Sequence, residues 1–86
     1  MDTFIVWTAG SARKEIAKIP LPWRTRIIDI LNVLAHNPFI GVPMRGKYKG
    51  KYKIRIWPYR IIYSINKKTR VISVLEAGHR GGMPYR

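Results

Sequence analysis

The chain contains no cysteine, which excludes disulfides and thiolate metal sites and makes the cytoplasm the expected compartment. It is also poor in acid: four Asp and Glu stand against seventeen Lys and Arg, for a formal net charge of +13 over 86 residues. Those carboxylates, Asp2, Glu15, Asp29 and Glu76, are scattered and offer no pair for two-metal phosphoryl transfer. Histidine is scarce as well. His36 and His79 are far apart, with no thiol to join them in a zinc site. No glycine loop leading into Lys-Ser or Lys-Thr is present to cradle a nucleotide phosphate. Neither a metal nor another cofactor is therefore expected. Long apolar runs are missing too: Phe4 to Trp7 and Ile27-Ile28 are far too short to span a bilayer. The start, Met1-Asp2-Thr3-Phe4, carries no basic segment and no signal-peptide core, so no membrane partner is expected.

What is present is enough apolar material for a core. Hydrophobic residues make up 47% of the chain, which predicts a folded domain rather than disorder. The length fits a single domain over 1–86 and leaves no room for separate substrate and cofactor domains. A domain this basic calls for a polyanionic partner, and nucleic acid is the usual one.

Phe4 to Trp7 reads as a first strand. Thr8 to Ser11 turns the chain, with Ser11 as the expected N-cap of a helix running to about Lys18. Pro20 and Pro22 interrupt it. Trp23, Ile27, Ile30, Leu31 and Leu34 then recur at helical spacing, and Asn37-Pro38 ends that second helix. Phe39 to Gly46 reads as a loop. The remainder predicts an antiparallel meander: a strand through Tyr52, Ile54 and Ile56, a tight turn at Trp57-Pro58, a strand from Tyr59 to Ile65, a turn at Asn66 to Thr69, a last strand from Val71 to Leu75, and a Gly-rich tail from Gly78. The predicted class is α+β, a two-helix hairpin on one face of a twisted antiparallel sheet in the order β-α-α-β-β-β, with the other face open.

Between Arg45 and Arg60 stand seven basic residues and no acid: Arg45, Lys47, Lys49, Lys51, Lys53, Arg55 and Arg60. Lys47 to Arg55 occupy every second position. Where such a stretch is extended the charges share one face, while Tyr52, Ile54 and Ile56 point into the core. Amphipathic strands carry Lys for solubility too, but like charges opposed on paired strands are unfavourable without a counter-anion. A nucleic-acid contact is the expected role of this ladder.

Such a surface can cut RNA without a metal. The 2′-hydroxyl attacks the adjacent phosphorus, clustered cations stabilise the charge that develops, and a proton acceptor and donor complete the step. DNA lacks the attacking group. His79, whose imidazole can both accept and donate a proton, is a candidate proton carrier, and Tyr85 a candidate to stack on a base or hold the 2′-hydroxyl. Tyr59 and Tyr63 read as core, Trp57 as structural, and His36 as a cap at a helix C-terminus.

Met44-Arg45-Gly46, Tyr52-Lys53-Ile54-Arg55-Ile56, Tyr59-Arg60-Ile61-Ile62-Tyr63, Gly78-His79-Arg80 and Tyr85-Arg86, in this order, resemble the RelE/ParE toxin superfamily. The resemblance implies a helical hairpin on a twisted antiparallel sheet. It implies the toxin of a type II toxin–antitoxin system, acting on mRNA, often in the ribosomal A site, and neutralised by a cognate antitoxin whose helices wrap it. By the same resemblance Lys53 activates the 2′-hydroxyl, Arg55 contacts phosphate, Arg60 stabilises the charged transition state, Arg80 assists the leaving group with His79 beside it, and Tyr85 orients or stacks on the substrate. Arg45, Lys47, Lys49, Lys51 and His79 are the expected RNA-binding residues around that set. The chain departs from the family pattern in its Trp57-Pro58 turn, in Arg55 where some relatives carry Lys, and in the Gly81 to Pro84 spacer. ParE-like members instead poison DNA gyrase, so a gyrase inhibitor is the alternative, with a non-catalytic RNA- or ribosome-binding module as a third reading.

Overall fold

The computed structural model describes residues 3–79. Strand β1 (Ile5–Thr8) leads into helix α1 (Gly10–Lys18) and helix α2 (Leu21–His36). A two-residue strand β2 (Val42–Pro43) follows, then β3 (Lys51–Ile56), β4 (Tyr59–Asn66) and β5 (Val71–His79). The helix start lies earlier than expected. Ala9 is the N-cap, and the first turn closes through the Arg13 amide on the Ala9 carbonyl at 2.8 Å. Ser11 therefore sits inside the helix, and no side chain caps it. Pro20 redirects the chain with φ −55° and ψ 147°, whereas Pro22 falls in the first turn of α2. An amide there has no partner within the helix, so proline costs nothing.

The sheet order is β1-β5-β4-β3-β2. It differs from the expected antiparallel sheet: β1 pairs with β5 in parallel, Ile5 to Thr8 beside Val71 to Val74, so the sheet is mixed. A helical crossover permits that direction, which a hairpin cannot supply. The stretch read as a loop also contributes β2, paired through Val42 and Pro43 with Lys53 and Tyr52. Pro43 is tolerated there because β2 is an edge. The last strand runs four residues beyond Leu75, so Gly78 and His79 belong to β5 and not to a tail.

Both helices pack on one face. Ala12, Ile16 and Ile19 at α1 and Ile27 on α2 meet Ile56, Ile61, Val74 and Ala77, while Leu34 meets Tyr63 and Ile72. Val6, Leu31 and Ile54 touch both groups and join them into one core. The sheet face turned away from the helices carries the basic ladder.

Candidate nucleic-acid interface

Alternation along β3 and β4 sorts their side chains. Ile54, Ile56, Ile61 and Tyr63 lie in the helix-side core, so Lys51, Lys53 and Arg55 on β3, and Arg60, Ile62 and Ser64 on β4, lie on the other face. The register sets Lys51 across from Ser64, Lys53 from Ile62, and Arg55 from Arg60. Directly opposed side chains on antiparallel strands have Cβ atoms about 5 Å apart. Arg55 and Arg60 are thus neighbouring like charges, an arrangement that an anion between them relieves.

The ladder is shorter than the sequence pattern suggests. Lys47 lies in a 3-10 turn, Gly46–Tyr48, and Lys49 follows it before the strand begins. Gly46 and Gly50 have φ of +67° and +91°, left-handed values that break the extended chain and that side-chain-bearing residues avoid. Arg45, Lys47 and Lys49 are exposed around this turn. Of the alternating cations, Lys51, Lys53 and Arg55 stand on the strand itself.

That turn folds over the sheet. Ile62, on the face away from the helices, is fully buried, with Met44 and Tyr48 packed against it. The Lys47 Nζ lies 5.7 Å from the centre of the Tyr48 ring. Neither Met44 nor Tyr48 was singled out from the sequence as a contributor to the site. The signal was available: Ile61-Ile62-Tyr63 puts three apolar residues in a row on one strand, so one of them must point away from the core and need a cover.

Glu76 joins the same face. It lies directly across from Ile62 on β5, next to Ala77, which is buried on the helix side. A register shift near Ile62 and Tyr63, with Leu75 as the extra residue, sets this phase. His79 goes the other way. It is paired with Tyr59, and its ring stands edge-on to that ring at 5.6 Å, on the helix side. The structure thus brings Lys51, Lys53, Arg55 and Arg60 to one face and sets His79 on the opposite one. Arg80 and Tyr85 lie outside the described residues. Trp57, at the β3–β4 turn, is 71% exposed.

The platform under Lys53 is held by Tyr63. Its hydroxyl donates to the Pro38 carbonyl at 2.7 Å and accepts the Gly41 amide at 3.0 Å. Gly41 approaches so closely that a Cβ there would lie 2.5 Å from the Tyr63 hydroxyl and 3.0 Å from the Lys53 carbonyl. This contact ties the connection after α2 to the centre of the sheet. Burial pushes the Tyr63 phenol above its ordinary range, the Gly41 hydrogen bond pulls it down, and Tyr52 nearby raises it further.

Beside α2 and the β3–β4 turn lies a hollow of about 500 Å³, lined by Arg26, Asp29, Ile30, Val33, Arg55, Ile56 and Trp57. Among the described residues no cluster of three or more His, Asp or Glu could hold a metal ion. No helix among them is long and apolar enough to cross a membrane.

No curated protein matches the chain. Solved structures do. The toxin–antitoxin complex RelBE2 from Mycobacterium tuberculosis contains a chain 24% identical, with a TM-score of 0.83 over 91% of this chain and 99% of that one. A chain of the archaeal RelE-RelB complex from Pyrococcus horikoshii is 26% identical, with a TM-score of 0.77 over 94% and 99%. A chain of the intact E. coli RelBE toxin–antitoxin complex is 22% identical, with a TM-score of 0.77 over 88% and 95%. The arrangement of two helices on a five-stranded mixed sheet is therefore the RelE-like fold. The family model for the ParE toxin of the type II toxin–antitoxin system parDE matches residues 5–84. On that match this chain belongs to the ParE toxin family, within the RelE/ParE superfamily of type II toxins.

Proposed function

We propose that this toxin is a RelE-like endoribonuclease that cleaves mRNA on the ribosome without a metal. The observation that carries the reading is the convergence of Lys53, Arg55 and Arg60 on one sheet face. A phosphodiester lying across β3 and β4 meets all three. The RNA's 2′-hydroxyl then attacks the adjacent phosphorus, and the guanidinium of Arg60 neutralises the extra charge on the phosphorane-like oxygens. Lys51 and the exposed cations of the Arg45 to Lys49 turn hold the flanking backbone. Arg80 and Tyr85 enter by family resemblance, as the leaving-group assistant and the substrate-orienting tyrosine. The reaction draws its nucleophile from the substrate and needs no cofactor.

The relatives whose structures are toxin–antitoxin complexes support a cognate antitoxin for this chain as well, with both partners and the mRNA in the cytoplasm. The hollow beside α2, apolar at Ile30, Val33 and Trp57 and rimmed by Arg26 and Arg55, suits a partner helix with an apolar stripe and acidic flanks.

The test is to strip the purified protein of metal with EDTA, desalt it, incubate it with mRNA with and without translating ribosomes, and map the ends. Cuts that persist and leave a 2′,3′-cyclic or 3′-phosphate support the proposal, and Arg60→Ala should abolish them with the fold intact. The ParE family match favours a second reading, gyrase inhibition. Intact RNA together with gyrase-linked DNA breaks would establish that one instead.

A further inference from the structure

We propose that Glu76 is the group that takes the proton from the attacking 2′-hydroxyl; this rests on the ribonuclease reading above. Among the described residues, the face shared by Lys53, Arg55 and Arg60 holds one acidic side chain. Glu76 is fixed there by its register with Ile62 and by Ala77 beside it in the helix-side core. The other described acids, Glu15 and Asp29, are on helices. Of the earlier candidates, His79 is against Tyr59 on the opposite side of the sheet, and Lys53, the activator that the resemblance implies, shares the face but could accept a proton only as a neutral amine. Protonated lysine and arginine offer no acceptor, whereas an ionised carboxylate offers nothing else.

The positions fit the chemistry. Arg60 is across from Gly78, two residues along β5 from Glu76, so the two side chains are diagonal neighbours with Cβ atoms on the order of 7 Å apart. Lys53 stands on the far side of Ile62, two strand spacings from Glu76 or about 10 Å between backbones. A phosphate gripped between Lys53 and Arg60 leaves its neighbouring ribose over Ile62 and Tyr48, with the 2′-oxygen turned toward Glu76. Met44 and Tyr48, packed on Ile62, give that ribose an apolar surface to rest on. In the step, the 2′-oxygen loses its proton to the Glu76 carboxylate and bonds to phosphorus. The bond from phosphorus to the 5′-oxygen breaks, water protonates the 5′-oxygen, and Glu76 returns its proton to water. The products are a 2′,3′-cyclic phosphate and a 5′-hydroxyl.

A carboxylate in this place could also serve only as a counter-ion to Arg60, and the pH profile separates the two roles. The measurement is kcat/KM on ribosome-bound mRNA, with protein stripped of metal by EDTA and then desalted, from acid to neutral pH, for wild type, Glu76→Gln and Glu76→Asp, with thermal midpoints recorded for all three. For wild type, kcat/KM should climb tenfold per pH unit along an acid limb and then level off. Glu76→Gln should lose about 10²- to 10⁴-fold on the plateau and lose the limb, and Glu76→Asp should restore part of the rate together with the limb. Near-wild-type activity in Glu76→Gln, or reduced activity with the acid limb retained, overturns the assignment while leaving the ribonuclease reading intact. Wild-type protein that leaves RNA uncut overturns both.

Discussion

Tyr63 shows how much one side chain can organise. Its ring is fully buried, and its hydroxyl joins two backbone groups of the segment after α2. Tyr63→Phe keeps the ring and strands the Pro38 carbonyl and the Gly41 amide, which should lower unfolding stability by about 1–3 kcal/mol in a urea titration. The same hydroxyl gives the fold an alkaline limit. Its folded value is raised, chiefly by burial. The stability that depends on it is therefore complete below the unfolded phenol value near pH ~10 and declines as pH rises from there through the folded value. Urea midpoints measured across that range should fall more steeply for wild type than for Tyr63→Phe. The sequence made Tyr63 legible as core, from its place in an alternating apolar strand. Its hydroxyl partners were not legible, because Pro38 and Gly41 lie in a stretch without periodicity. Glu76 was hidden for a related reason: its face depends on a register shift that no local pattern announces.

At the scale of elements, the helices and the three long strands follow from periodicity and proline placement, and the sequence reading found them. It over-read the ladder below Lys51, because alternate lysines imply one face only where the backbone is extended, and Gly46 and Gly50 take φ values that prevent it. It missed the direction of β1, since the pairing of a four-residue strand is decided by partners more than sixty positions away. The β3–β4 hairpin carries its own prediction. Arg55 and Arg60 oppose each other directly, so Arg55→Thr should stabilise the free protein by about 0.2–1 kcal/mol. That gain should shrink as salt is added. Thermal midpoints at low and high ionic strength check both.

Across the whole molecule, a formal charge of +13 acts as a long-range attractor for polyanions, and on the proposed reading the sheet face is where they settle. If Lys51, Lys53, Arg55 and Arg60 each meet one phosphate of a single strand, log affinity should fall against log salt with a slope of about −3, from roughly −0.7 per contact. Each alanine substitution among them should flatten that slope by about 0.7. Fluorescence anisotropy with a 2′-deoxy strand, which cannot be cut, measures this without turnover.

The parallel pairing of the first strand with the last has a consequence for the cell that makes this protein. The partner of β1 is β5, and their pairing begins at Val71, so on the ribosome β1 stays an open edge until the residues from Val71 onward have emerged.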